Sequence, residues 1–124
     1  MDERPVVLLV DDEPRLLSAL QRTLRREGWA IETANNASEG LARLSTAPQV
    51  SVLVSDHKMP GLSGVEFLAE AKARFPRTAR ILLSGWTGEI PSADLARAAV
   101  SAIHAKPWDD AELKASIHRA IEAG

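Results

Sequence analysis

The sequence predicts an α/β fold, a five-stranded parallel sheet with helices on both faces. Three observations carry that reading. Short apolar runs alternate with helix-period segments five times along 124 residues. Three of the helical segments open on side-chain capping pairs. Asp11, Asp12, Asp56, Ser84 and Lys106 each fall at the end of an apolar run. Five successive βα units argue a doubly wound sheet with right-handed crossovers. At this size the usual strand order is 2-1-3-4-5, with ligands beyond the carboxyl ends of the strands at the switch point between strands 1 and 3.

The elements follow in order. Val6 to Val10 is unbroken apolar sequence, as expected of a parallel strand covered on both faces. Leu16, Leu20 and Leu24 then fall at i, i+4 and i+8, the stripe of a helix ending near Gly28. Trp29 to Ala34 is a weaker second strand. Asn36 with Glu39 is an N-cap pair for a helix through Leu41 and Leu44. Val50 to Ser55 forms the third strand. Ser63 and Glu66 have the spacing of a capping box, and Val65, Leu68, Ala71 and Phe75 share the face that follows. Arg80 to Ser84 is a fourth strand. The fourth helix, Ser92 to Val100, is rich in alanine and predicted to be the most loosely packed. Ala102 to Ala105 is a short fifth strand. Asp109 and Glu112 cap a last helix whose core face carries Leu113, Ile117 and Ile121.

Composition narrows the functional classes. Apolar residues make up 45% and charged ones 26%, a globular balance in a chain of single-domain size, so residues 1–124 are expected to form one domain. The net charge of −2 gives no electrostatic footprint for nucleic acid. With no cysteine there is neither disulfide nor thiolate chemistry, which fits a cytoplasmic location. The N-terminus has acids where a signal peptide is basic, and its apolar run is too short for a membrane span.

The polar residues converge on one edge of the sheet. Strand 1 ends in Asp11 and Asp12, strand 3 in Asp56, strand 4 in Ser84 and strand 5 in Lys106. Carboxylates crowded at a dry edge repel one another, and without a cation at least one titrates high. A few oxygen ligands beside solvent suit Mg²⁺. Ser84 offers a hydroxyl donor and Lys106 a mobile charge, which is nearly all that phosphoryl transfer asks of a protein. A carboxylate can itself be the acceptor, and that gives Asp56 a reactive role.

The segments LLVDDEP, VSDHKMPGLSG, ILLSG and AKPW resemble, in order and at similar spacing, the signature segments of the receiver domains of two-component response regulators. The resemblance extends over essentially the whole chain and implies the CheY-like, flavodoxin-like receiver fold. It implies that Asp56 accepts phosphate from a phosphohistidine on a sensor histidine kinase or phosphotransfer protein. Asp11 is then the direct metal ligand, Asp12 holds the metal through water, and Asp56 and the main-chain carbonyl of Lys58 complete the protein ligands. The metal is Mg²⁺, with Mn²⁺ a workable substitute. Ser84 takes the place of the switch hydroxyl, Lys106 pairs with the phosphoryl group, and the Lys106–Pro107 bond is cis. The resemblance also implies that the positions of Lys58 and Trp86 flank the water route, and these two residues are therefore expected to set the phosphoryl lifetime. Such a domain is a switch whose only catalysis is its own phosphotransfer and slow autodephosphorylation. Its output surface is helix 4, strand 5 and helix 5. It acts through an output domain or partner protein, a phosphorylation-dependent homodimer being one form, with no direct nucleic-acid or membrane contact. The KPWDDAEL stretch resembles receivers joined to phosphodiesterase or kinase modules.

One position departs from the family. Ile103 stands where an aromatic ring usually follows the switch hydroxyl inward, so coupling to the surface is expected to be weak or differently built. His104 cannot substitute, because strand neighbours point to opposite faces. Plainer roles remain for several residues: Asp12 as an N-cap of the first helix, His57 as a loop imidazole, His104 as a half-buried packing residue. Arg22, Arg25 and Arg26 read as a solvated helix face, and Trp108 as a cover over the start of the last helix. An interaction module of the same fold that works without phosphorylation is the competing function, favoured by Ile103 and opposed by the complete acidic set. A flavin binder is disfavoured by Asp11-Asp12-Glu13 where a phosphate loop belongs. An aspartyl-phosphate hydrolase is disfavoured by the lack of an Asp-x-Asp pattern.

Overall fold

The structure is a computed structural model describing residues 4–46, 49–85 and 90–123. Five strands and five helices alternate: β1 (Val6–Val10), α1 (Pro14–Leu24), β2 (Ala30–Ala34), α2 (Ala37–Leu44), β3 (Val52–Asp56), α3 (Gly64–Arg74), β4 (Ala79–Ser84), α4 (Ser92–Ala98), β5 (Ala102–Ala105) and α5 (Asp110–Ala123). The sheet is parallel throughout, in the order β2-β1-β3-β4-β5. Each predicted element is present; β1 and β5 have the predicted bounds, while β2, β3, β4, α1 and α4 differ by one to a few residues at their ends.

Alternate strand residues feed two cores. Val7, Leu9, Val54 and Ile81 pack with Leu17, Leu20 and Leu24 of α1 and with Leu113 and Ile117 of α5. Leu8, Val10, Leu53 and Leu82 face α2, α3 and α4. The sheet interior is dry because it is covered on both sides, as its continuous apolar strands require.

Two helical stripes differ from the sequence reading. In α1 the buried set is Leu17, Leu20 and Leu24, while Leu16 is only half-buried. Spacings of three and four residues alternate about one line on a helix, whereas repeated steps of four drift around it. In α3, Phe67 is fully buried although it lies off the predicted face, and Phe75 is half-buried at the helix C-cap. Phe67 gains its space from α2: a Cβ at Gly40 would lie 2.7 Å from its ring. The α4 helix stops at Ala98 rather than Val100, and Ala98 is its one buried residue.

The capping readings hold with one exception. Asn36 accepts from the Glu39 amide, Ser63 and Glu66 form a reciprocal capping box, and Asp109 accepts from the Glu112 amide. The N-cap of α1 is Glu13, not Asp12, and it makes no side-chain cap bond; Pro14 occupies the first turn, where its missing N–H costs nothing. Asp12 is exposed, and the Glu13 amide donates instead to Asp11 Oδ1 at 2.8 Å.

Candidate functional site

β1, β3 and β5 bring Asp11, Asp12, Asp56 and Lys106 to one edge of the sheet. Carboxylate oxygens of Asp11, Asp12 and Asp56 lie within 4.8 Å of one another. Asp11 and Asp56 are buried, at 1% and 5% exposure, and Asp12 opens to solvent. Lys106 places its Nζ 2.5 Å from Asp56 Oδ1 and 4.0 Å from Asp11 Oδ2. The lysine is set there by its backbone: its amide donates to the Ser84 carbonyl at 2.9 Å, and the Lys106–Pro107 bond is cis.

Local sequence explains why Asp56 is held so firmly. It is the last residue of β3, paired with Leu83 of β4, and Ser55 Oγ donates to its carbonyl. The next residue, His57, donates its amide to Leu83 O and accepts from the Gly64 amide at 2.7 Å. That second bond pulls the start of α3 against the strand end. A Cβ at Gly64 would lie 2.1 Å from the Asp56 carbonyl oxygen, so only glycine permits the approach. Gly61, at φ 81°, turns the intervening Met59-Pro60-Gly61 loop in the left-handed region that favours glycine.

The electrostatics follow from this crowding. The Asp11 carboxyl is pushed up to about 6, chiefly by burial and further by the Asp56 and Asp12 charges; the Glu13 amide and Lys106 pull the other way. Its Oδ2 is buried without a hydrogen-bond partner among the described residues. A buried, orphaned carboxylate oxygen beside two more carboxylates is a donor set that fits a hard divalent cation. These three aspartates are the one group of potential metal ligands of this kind among the described residues.

The other predicted residues take varied places. Ser84 is buried at the end of β4, paired with Ala105. Lys58 is exposed and lines, with Asp12, His57 and Glu66, a cleft of about 470 Å³ beside the aspartates. Trp86 lies outside the described residues. Ile103 pairs with Leu82 and is 37% exposed. His104, on the other face of β5, lies with Nε2 2.8 Å from Ser116 Oγ, and burial pushes its pKa below the ordinary value. Trp108 donates to Asp110 at the start of α5. Arg22, Arg25 and Arg26 are exposed. Sequence reasoning passed over Arg80, buried at 8% exposure in β4. Its signal was a lone charge opening an otherwise apolar strand.

The sequence pattern of the response regulator receiver domain matches residues 7–118. The hydrogenase transcriptional regulatory protein HoxA of Cupriavidus necator is 42% identical over 123 residues, 98% of this chain and 25% of that protein. The transcriptional regulatory protein GlrR of Escherichia coli is 35% identical over 124 residues, 98% of this chain and 28% of that protein. The chain thus spans about a quarter of the length of these curated relatives. Among solved structures, the signal receiver domain of an HD domain-containing protein from Pseudomonas fluorescens superposes with a TM-score of 0.91 at 30% identity, covering 99% of this chain and 90% of that one. TrrA from Thermotoga maritima, in complex with Mg²⁺-BeF, superposes with a TM-score of 0.84 at 27% identity, covering 94% of this chain and 98% of that one. With its pattern matched over most of the length and relatives above 30% identity spanning nearly all of it, the chain belongs to the response regulator receiver domain family.

Proposed function

We propose that residues 1–124 form a single phosphoacceptor domain in which Asp56 is the acceptor, fed by a sensor histidine kinase or phosphotransfer protein. The carrying observation is the Lys106 ammonium on Asp56 Oδ1 with the orphaned Asp11 Oδ2 beside it. A carboxylate oxygen of Asp56 attacks phosphorus, the phosphorus–nitrogen bond of the phosphohistidine breaks, and the imidazole leaves and takes a proton. Lys106 balances charge on the transferring group, and Ser84 donates its hydroxyl to a phosphoryl oxygen. Asp11, Asp12, Asp56 and the Lys58 carbonyl would hold Mg²⁺, which supplies charge neutralisation at the phosphoryl oxygens when bound. Mn²⁺ suits the same oxygen set.

Lys58 and Trp86 govern access of water to the phosphoryl group, so alanine at both positions is expected to change the dephosphorylation rate; an unchanged rate would remove them from that role. The domain is cytoplasmic, and it acts as a signalling switch rather than as an enzyme on other substrates, its output lying in a further domain or partner that reads α4, β5 and α5. The test of the reading is beryllofluoride binding followed by ¹⁹F NMR. A bound resonance that requires Mg²⁺ and disappears in Asp56→Ala is expected. No bound resonance in the parent protein would point instead to an interaction module that works without phosphorylation.

A further inference from the structure

The α4 helix is poorly secured by its own sequence. It has seven residues, its N-cap is Pro91 with no side-chain cap bond, and Ala98 is its one buried residue. Its C-cap, Ala99, sits at φ 45°, a left-handed conformation that a non-glycine residue adopts at a cost. Something outside the helix must hold that end.

Arg80 does so. Its Nε donates to Ala98 O at 2.8 Å and its Nη2 to Ala99 O at 3.1 Å, two terminal carbonyls that a helix leaves unmatched. Nη1 donates to Thr78 O at 2.6 Å, which ties the same guanidinium back to its own strand entry. No carboxylate pairs with Arg80 among the described residues, so the helix C-terminal dipole is the negative pole it meets. The backbone adds a further link, from the Ser101 amide to Arg80 O at 2.7 Å. Alternation along β4 puts Arg80, Leu82 and Ser84 on one face, and Leu82 belongs to the core cluster that contains Ala98.

We infer that Arg80 is a positioning residue that pins the C-terminal end of α4 to β4, making Ala98–Ala99 the pivot about which the helix responds to the acidic site. This rests on the phosphoacceptor reading for the stimulus, but the pin itself does not. Ser84, on the same strand face, lies at the site end of β4, and Arg80 lies at the opposite end. Displacement on activation is therefore confined to the N-terminal half of α4.

Hydrogen exchange by mass spectrometry on residues 92–98 tests this, with peptides of α1, α3 and α5 as internal references. In Arg80→Met, α4 amides are expected to exchange at least tenfold faster with the reference helices unchanged; Arg80→Lys restores part of the protection, since one ammonium replaces a three-armed clasp. In the parent protein loaded with Mg²⁺ and beryllofluoride, protection is expected to change at Ser92–Leu95 and stay constant at Ala96–Ala98. Unchanged α4 exchange in both variants, or an equal loss across all helices in both, would overturn the pin. A change on loading spread evenly through α4 would overturn the pivot. Absence of beryllofluoride binding would count against the phosphoacceptor reading, while the comparison of unloaded proteins still decides the pin.

Discussion

Lys106 Nζ and Asp56 Oδ1 meet at 2.5 Å, with carboxylate oxygens of Asp11 and Asp12 within 4.8 Å of those of Asp56. The lysine sets its positive charge beside Asp56 and Asp11 and so offsets part of the repulsion among the carboxylates at this edge. It retains 28% side-chain exposure, so the pair lies between a surface ion pair and a fully buried one. Lys106→Met should therefore destabilise the metal-free domain by about 1–3 kcal/mol at neutral pH. Mg²⁺ should restore most of that loss and bind more tightly than to the parent protein, because no ammonium competes for the carboxylates. Urea unfolding with EDTA or Mg²⁺ measures both effects.

Asp11 gives a pH dependence of known sign. Its carboxyl titrates at about 6 when folded, against 3.8 for a solvated aspartate side chain, so the native state holds its proton more tightly. Stability from this group is present below pH 4 and is lost as the pH rises towards 6, by up to about 3 kcal/mol. Asp11→Asn, which keeps an oxygen for the Glu13 amide, should make the metal-free domain more stable than the parent above pH 6. The difference should close below pH 4, and the variant should lose its response to Mg²⁺. Urea midpoints from pH 4 to 8 provide the measurement.

His104 titrates in the opposite sense. Burial lowers its pKa from 6.5, so the unfolded chain takes up the proton first, and acidification below pH 6.5 favours unfolding. An imidazole NMR titration should give a midpoint below 6.5. Ser116→Ala, which removes the 2.8 Å partner of Nε2, should leave that midpoint below 6.5, because desolvation is the dominant cause.

Gly64 protects the geometry of the acceptor. Alanine there would force its Cβ to within 2.1 Å of the Asp56 carbonyl oxygen and 2.6 Å of His57 Cα, both backbone atoms. Gly64→Ala should cost about 1–3 kcal/mol by overpacking and should also impair Mg²⁺ binding, since relief requires moving the end of β3. Thermal unfolding together with a metal titration separates the two losses.

The order of strands and the gathering of acids were legible because they depend on patterns that act over a few residues. Five consecutive apolar residues at Val6–Val10 suit a strand covered on both faces, and an aspartate after such a run falls at the sheet edge. Less legible was what depends on partners distant in sequence. Phe67 lies off the expected stripe of α3 because Gly40 of α2 leaves it a space. Asp12 resembles an N-cap locally, yet the chain gives that position to Glu13 and turns Asp11 back onto the Glu13 amide. Arg80 resembles a strand-edge charge until the end of α4, 18 residues on, supplies its acceptors.

The most direct test is the intact mass of the purified domain after incubation with acetyl phosphate and Mg²⁺, beside an Asp56→Ala control. One added phosphate in the parent protein, absent in the control and absent when EDTA is present from the start, is the expected result. An unmodified parent protein, or an adduct that persists in Asp56→Ala, would contradict the assignment of Asp56 as the acceptor.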